Sequence, residues 1–323
     1  MASRIASALL GGISLLGFTA SLASATTLAL TQAGIDQGLA LTTFASGFAS
    51  TSVGGIGPIS YVNVPGSANV LVSGYASGHL YNFATNADGQ VVGAGTPSTQ
   101  VYGAPAGLTV LNDNIYAADQ SGAVSHVNGS GNVIGLTAFL SGATGIVGST
   151  STGLLYVSGV GGLYTMSING TVSLFKSGDY DGLSVSGDGT VLYAEHSQHI
   201  YGYNLANSGA QLFDSGFISG ADGALLANLA GHAVLFVNTN SGNIWEVSLS
   251  DSTQTLIASG GSRGDLASLD TSNNTAIFSQ SNSLVRLSLP AGSNFSGVAV
   301  PEPASLAMLG VGLLGVLRLR RRR

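Results

Sequence analysis

The chain has 323 residues, no cysteine, 48 glycines and only 7% charged residues, with a formal net charge of −6. Without cysteine it holds no disulfide scaffold and no Cys-based zinc site or nucleophile. The low charge is that of many membrane proteins. However, no apolar run between the two ends of the chain reaches the length of about 18 residues that a spanning helix requires, so the central region reads as β structure.

The N-terminus begins with a short positive region at Arg4, followed by an apolar stretch from Ile5 to Leu22 and then Ala23-Ser24-Ala25. This is the order of a secretory signal peptide with an A-x-A cleavage site formed by Ala23 and Ala25. Residues 1–25 are therefore predicted to be a signal peptide read by the Sec machinery, and the mature chain to begin near Thr26.

From there a unit of apolar, aromatic and small residues recurs. It is anchored at Leu71, Tyr116, Tyr156, Tyr193, Phe236 and Phe278. The anchors lie about 37 to 45 residues apart, which is the period of propeller blades. A second alternating strand follows each anchor after a short turn: His79–Phe83, Ala123–Val127, Leu163–Ile168, Ile200–Tyr203, Ile244–Val247 and Leu284–Leu287. The period of two predicts half-buried strands, and Asp88-Gly89, Asn128-Gly129 and Asn169-Gly170 supply turn residues. Trp245 takes the slot of Tyr81, Tyr164 and Tyr201, which reads as packing.

A third element closes the blades: Phe139-Leu140-Ser141-Gly142, Phe175-Lys176-Ser177-Gly178, Phe213-Asp214-Ser215-Gly216 and Ile257-Ala258-Ser259-Gly260. It also occurs early, as Phe44-Ala45-Ser46-Gly47, and is missing after Leu287. The economical explanation is ring closure, in which residues 39–47 supply the outer strand of the last blade and leave no open sheet edge. The expected fold is all-β, a six-bladed β-propeller over residues 26–295, closed by an N-terminal strand.

The stretch from Asp181-Gly182-Leu183 to Asp188-Gly189-Thr190-Val191-Leu192-Tyr193 resembles a blade of six-bladed propellers of the NHL and gluconolactonase-like type. Fold-level resemblance does not carry function. The resemblance implies, as one possibility, a metal-dependent lactonase-like hydrolase with an acidic and Asn-containing metal centre in the central channel. The chain offers no counterpart of that family's early Glu ligand, since Asp36 is the only acidic residue before blade one.

The predicted starts of the innermost strands are Gly55-Ile56, Gly107-Leu108, Gly145-Ile146, Asp181-Gly182, Asp222-Gly223 and Asp265-Leu266. Three successive blades thus direct Asp181, Asp222 and Asp265 towards one mouth. Converging carboxylates suit a hard cation such as Ca²⁺; the simpler expectation is that each Asp caps its own turn and that no cofactor is held. Glu195-His196-Ser197-Gln198-His199 is expected to be an exposed hairpin turn. No G-x-S-x-G elbow sits in a strand–turn–helix setting, so no catalytic residue is assigned.

The tail completes the chain. Pro301-Glu302-Pro303 is followed by an apolar run from Ala304 to Leu317, then Arg318, Arg320, Arg321, Arg322 and Arg323. The two prolines favour an extended motif, and the arginines hold the run's end on the cytoplasmic side. Residues 296–323 resemble the PEP-CTERM sorting signal of Gram-negative bacteria, which is processed by an exosortase. The resemblance implies a single transmembrane helix, transient anchoring in the inner membrane, and then a cell-surface or extracellular site associated with biofilm and exopolysaccharide. Without its ends the chain keeps three cations, Lys176, Arg263 and Arg286, against fourteen acids. Such a domain has no basic footprint for nucleic acid.

Overall fold

The structure, a computed structural model, describes residues 27–101 and 103–295. The predicted signal peptide with Ala23 and Ala25, the Pro301-Glu302-Pro303 motif, the apolar run and the terminal arginines lie outside the described residues. Among the described residues no helix is long and apolar enough to cross a membrane.

The strands form six sheets in sequence order around one axis, antiparallel except for one two-residue pairing. Blade one is built from Pro58–Asn63, Val70–Gly74, His79–Phe83 and Ser98–Gln100. Blade two runs through Pro105–Leu111, Asn114–Asp119, Ala123–Val127 and Val133–Phe139. Blades three and four start at Ile146–Ser149 and Tyr180–Val185 and end at Val172–Ser177 and Ala210–Asp214. Blade five extends from Ala221–Leu229 to Gln254–Ser259. Blade six takes Ala267–Asp270, Thr275–Gln280 and Ser283–Ser288 from the end of the chain and Ala40–Ser46 from its beginning.

Ring closure therefore follows the sequence pattern. Ala40 pairs with Ser288 and Ser46 with Ser283, antiparallel. Phe44 is fully buried and meets Tyr61 and Phe83 edge-on, with centroids 5.4 and 5.7 Å apart. Three pieces of the closure were not legible in the sequence. Ala29–Leu30 adds a strand to the outer edge of blade five. Gln32–Asp36 forms a short helix whose N-cap, Thr31, accepts from the Gly34 amide. Gln90–Val91 pairs in parallel with Ala45 and Ser46, outside the closing strand.

Two details of the repeat differ from expectation. The inner strand of blade one begins at Pro58, not at Gly55-Ile56. Residues 55–57 approach the backbone of blade six there, where a Cβ on Gly57 would lie 1.8 Å from the Ser281 carbonyl oxygen. The anchor of blade six is displaced by one residue. Tyr116 opposes Thr109 and Phe236 opposes Leu225, and the same register position in blade six is Ile277 opposite Ser268. Phe278 points to the other face and packs with Phe236 between blades five and six. A one-residue slip reverses the face, and both residues are apolar enough to hide it.

Candidate functional site at the two mouths of the channel

Aligning the inner strands by their registers puts six residues at equivalent positions around the mouth where those strands begin. In blade order they are Ile59, Ala106, Thr144, Asp181, Asp222 and Asp265. One side of this entry mouth is apolar and the other carries three carboxyls. The next residue is glycine in blades two to five, because adjacent backbones touch there. The Gly107 amide donates to the Thr144 carbonyl at 2.9 Å and the Gly223 amide to the Asp265 carbonyl at 3.1 Å. A Cβ on Gly145 would lie 2.1 Å from the Asp181 carbonyl oxygen, and one on Gly182 would lie 2.3 Å from that of Asp222.

The structure thus brings Asp181, Asp222 and Asp265 within electrostatic range of one another, and it adds a group that the sequence reading placed in an exposed turn. Glu195 is buried on the second strand of blade four, where blades one, three, five and six carry Ser73, Ser158, Asn238 and Ser279. Its Oε1 accepts from the Gln198 amide at 2.7 Å. The signal that could have found it is its place one residue before the end of the anchor strand, level with those polar residues. His196 and His199 do belong to the hairpin. His196 stacks on Tyr180 and contacts the Asp179 carbonyl, and His199 pairs with Asp214 at 2.8 Å.

Burial sets the protonation of this cluster. It pushes the Asp181 carboxyl up to about 6, although the Thr144 hydroxyl opposes the shift. It pushes Glu195 up to about 7. Asp222 is raised well above the ordinary range by burial, then by the charges of Asp181, Asp265 and Glu195. Asp265 is also raised by burial, although Arg263 Nε donates to its Oδ1 at 2.9 Å. Arg263 is the cation of this mouth. Asp222 Oδ1 has no hydrogen-bond partner.

A metal centre of the kind the fold resemblance implies needs several ionised donors on one centre. Asp222 Oδ1 is a free donor, but Asp265 is already engaged by Arg263, and Ile59 and Ala106 offer no oxygen opposite. Among the described residues no three His, Cys, Asp or Glu are grouped so as to hold a metal ion. The described residues thus present one unpartnered carboxyl oxygen here rather than a group of three metal donors.

Level with the acids, Ile59 and Ala106 join Leu266 in a small apolar cluster, with Ile56 and Tyr75 packed on it. From the residues that follow on the inner strands, a cavity of about 510 Å³ extends to the exit mouth, where those strands end. Leu108, Leu183 and Leu266 lie along its wall, and Asn63, Asp113 and Thr271 at its rim. Phe295 also lines it, and is held by its backbone N–H, which donates to Asn274 Oδ1 at 2.9 Å, and by ring contact with Phe236. The chain therefore leaves the ring at the exit mouth, on the side away from the acids.

That exit leads directly into the tail. Residues 299–323 match the family model of the PEP-CTERM protein-sorting motif. The chain carries a PEP-CTERM sorting signal. The match begins four residues after Phe295, so the sorting signal follows the propeller closely in the sequence. No curated protein matches the sequence. Among solved structures the fold is similar to a gluconolactonase from Xanthomonas campestris, at 12% identity over 83% of this chain and 96% of that one, with a TM-score of 0.61. It is equally similar to a putative gluconolactonase, at 15% identity over 84% of this chain and all of that one, TM-score 0.61. A chain of a nidogen/laminin complex is similar at 13% identity over 63% and 83% of the two chains, TM-score 0.50. At these identities the likeness establishes the six-bladed propeller and nothing about activity.

Proposed function

We propose that this PEP-CTERM propeller is a non-catalytic binding or structural module that works outside the cell in contact with extracellular polysaccharide. Export through the Sec route, brief anchoring in the inner membrane by the tail and exosortase processing would deliver it to the cell surface or to a biofilm matrix. The observation that carries this reading is the composition of the entry mouth. Asp222, raised well above the ordinary range by burial, stands with Asp181 and the Arg263-paired Asp265 across from Ile59 and Ala106. A neutral carboxyl both donates and accepts a hydrogen bond. Paired with an apolar wall, it suits hydroxyl groups and the C–H face of an uncharged sugar.

A second reading, a metal-dependent lactonase-like hydrolase using Ca²⁺ at Asp181, Asp222 and Asp265, is favoured by the unpartnered Asp222 Oδ1. One titration separates the two. The full-length chain is tested for binding of Ca²⁺, Zn²⁺ and neutral polysaccharides, and for lactone hydrolysis. Polysaccharide binding that persists in EDTA and weakens in Asp222→Ala supports the binding module. Tight stoichiometric metal, lost in Asp222→Ala and accompanied by hydrolysis, overturns it.

A further inference from the structure

The lining of the cavity at the exit mouth contains none of the six entry-mouth residues, and it has a chemistry of its own. The registers place Val62, Thr109, Val147, Ser184, Leu225 and Ser268 at equivalent positions around its wall. Hydroxyls therefore alternate with aliphatic side chains, blade by blade: Thr109, Ser184 and Ser268 on blades two, four and six, and Val62, Val147 and Leu225 between them.

Two of the hydroxyls are spoken for. Thr109 Oγ1 accepts from the Gly148 amide at 3.0 Å, and Ser268 Oγ accepts from the Tyr61 amide at 3.1 Å. Both are used to join neighbouring blades. Ser184 is 5% exposed, and its Oγ has no hydrogen-bond partner. An unmatched buried hydroxyl loses its solvation without return, so it is costly unless something else in the cavity pairs with it.

We propose that this cavity is a second binding site, for an uncharged molecule with an apolar body and one hydroxyl or carbonyl group that hydrogen-bonds Ser184. Size and charge both restrict the ligand. A volume of about 510 Å³ falls in the range of small-molecule pockets. The wall is largely aliphatic, so a buried ionic group would find no counter-charge in it. Asp113, the one carboxylate of the lining, lies at the rim, where it disfavours anions. The site shares no residue with the acidic entry mouth, so it stands or falls independently of the function proposed for that mouth.

The test uses three probes of one shape: 2-naphthylmethanol, 2-naphthoate and 2-naphthylmethylammonium. Each is titrated by calorimetry into the full-length chain in a mild detergent, with detergent alone as blank. The alcohol is expected to bind once per chain and at least tenfold more tightly than either charged analogue. Ser184→Phe, which fills the cavity, should abolish binding. Ser184→Ala keeps the space and removes the hydroxyl, and should weaken binding about fivefold, the worth of one ordinary hydrogen bond. Circular dichroism checks the fold of both variants; if Ser184→Phe does not fold, Ser184→Ala decides. Unsaturable binding of the alcohol, equal affinity in the Ser184 variants, or tighter binding of a charged analogue would overturn the proposal.

Discussion

Arg286 and Asp88 meet across the closure of the ring: Arg286 Nε donates to Asp88 Oδ1 at 2.7 Å. The two residues come from opposite ends of the propeller sequence, and Asp88 Oδ2 accepts from Thr42 of the closing strand at 2.6 Å. On its other side Arg286 binds the fully buried Asp270, with Thr275 and Asn86 completing its partners. Its guanidinium also lies 5.4 Å from the ring centre of Phe44. One buried cation thus ties the closing strand, a loop of blade one and the body of blade six together.

Removing Asp270 leaves Arg286 buried beside fewer charges. Asp270→Ala is expected to destabilise the domain by about 3–5 kcal/mol. Asp88→Ala, whose carboxylate is partly exposed, should cost about 1 kcal/mol or less. Urea unfolding of the two variants measures the difference; equal midpoints would refute the role given to Asp270.

The closing strand contributes packing as well as charge. Phe44→Ala removes a fully buried ring between Tyr61 and Phe83, and should cost about 3–5 kcal/mol. Deleting residues 27–47 takes away the whole outer strand and bares the edge of blade six, so self-association is expected as well as instability. Light scattering at constant concentration distinguishes the two effects.

Stability should depend on pH in two opposite ways. Asp181 and Glu195 titrate near 6 and 7 in the folded chain, and Asp222 and Asp265 are raised too, so the native state holds more protons than the unfolded chain above about pH 4. Stability should therefore fall as pH rises from about 5 to 8. Asp270 has the opposite sign. Burial raises it, but hydrogen bonds from Asn86, Arg286 and Ser272 outweigh that and bring it to about 2. Its contribution is present above the ordinary carboxylate value and is lost as pH falls through about 2. Urea midpoints across this range should peak in mild acid. Asp222→Asn should flatten the neutral limb, and a midpoint that rises between pH 5 and 8 would contradict the assignment.

The blade contacts leave no room at the mouth. Gly145→Ala places a methyl group 2.1 Å from the Asp181 carbonyl and should destabilise by roughly 3 kcal/mol or prevent folding. Gly135→Ala, with open space around it, should be close to neutral. Thermal melts of the pair test whether blades four and three really abut through backbone.

The sorting signal is expected to be separable from the fold. Alanine at Pro301, Glu302 and Pro303 together should abolish processing and leave the melting temperature unchanged, as read by cell fractionation beside a thermal melt. Normal processing of this variant would remove the motif's assigned role.

The sequence alone determined the blade count, the strand order and the closure by residues 39–47. Those rest on local periodicity and on one displaced copy of a repeated element. It also carried the tail, where a motif, an apolar run and a basic end are contiguous. The short pairings of Ala29–Leu30 and Gln90–Val91 were invisible, because two-residue strands have no period. That Ile277 rather than Phe278 takes the anchor position of blade six is hidden in the sequence for the same kind of reason, since two adjacent apolar residues do not reveal which face each takes. Asp181, Asp222 and Asp265 were legible as the first residues of successive blades, but their protonation was not. That depends on burial, on Glu195 arriving from the second strand of blade four, and on Arg263 pairing with only one of the carboxyls. Only the closed ring decides these matters, because it sets residues about 40 positions apart in the chain side by side around a narrow channel. There, desolvation and like-charge repulsion outweigh the intrinsic acidity of each side chain.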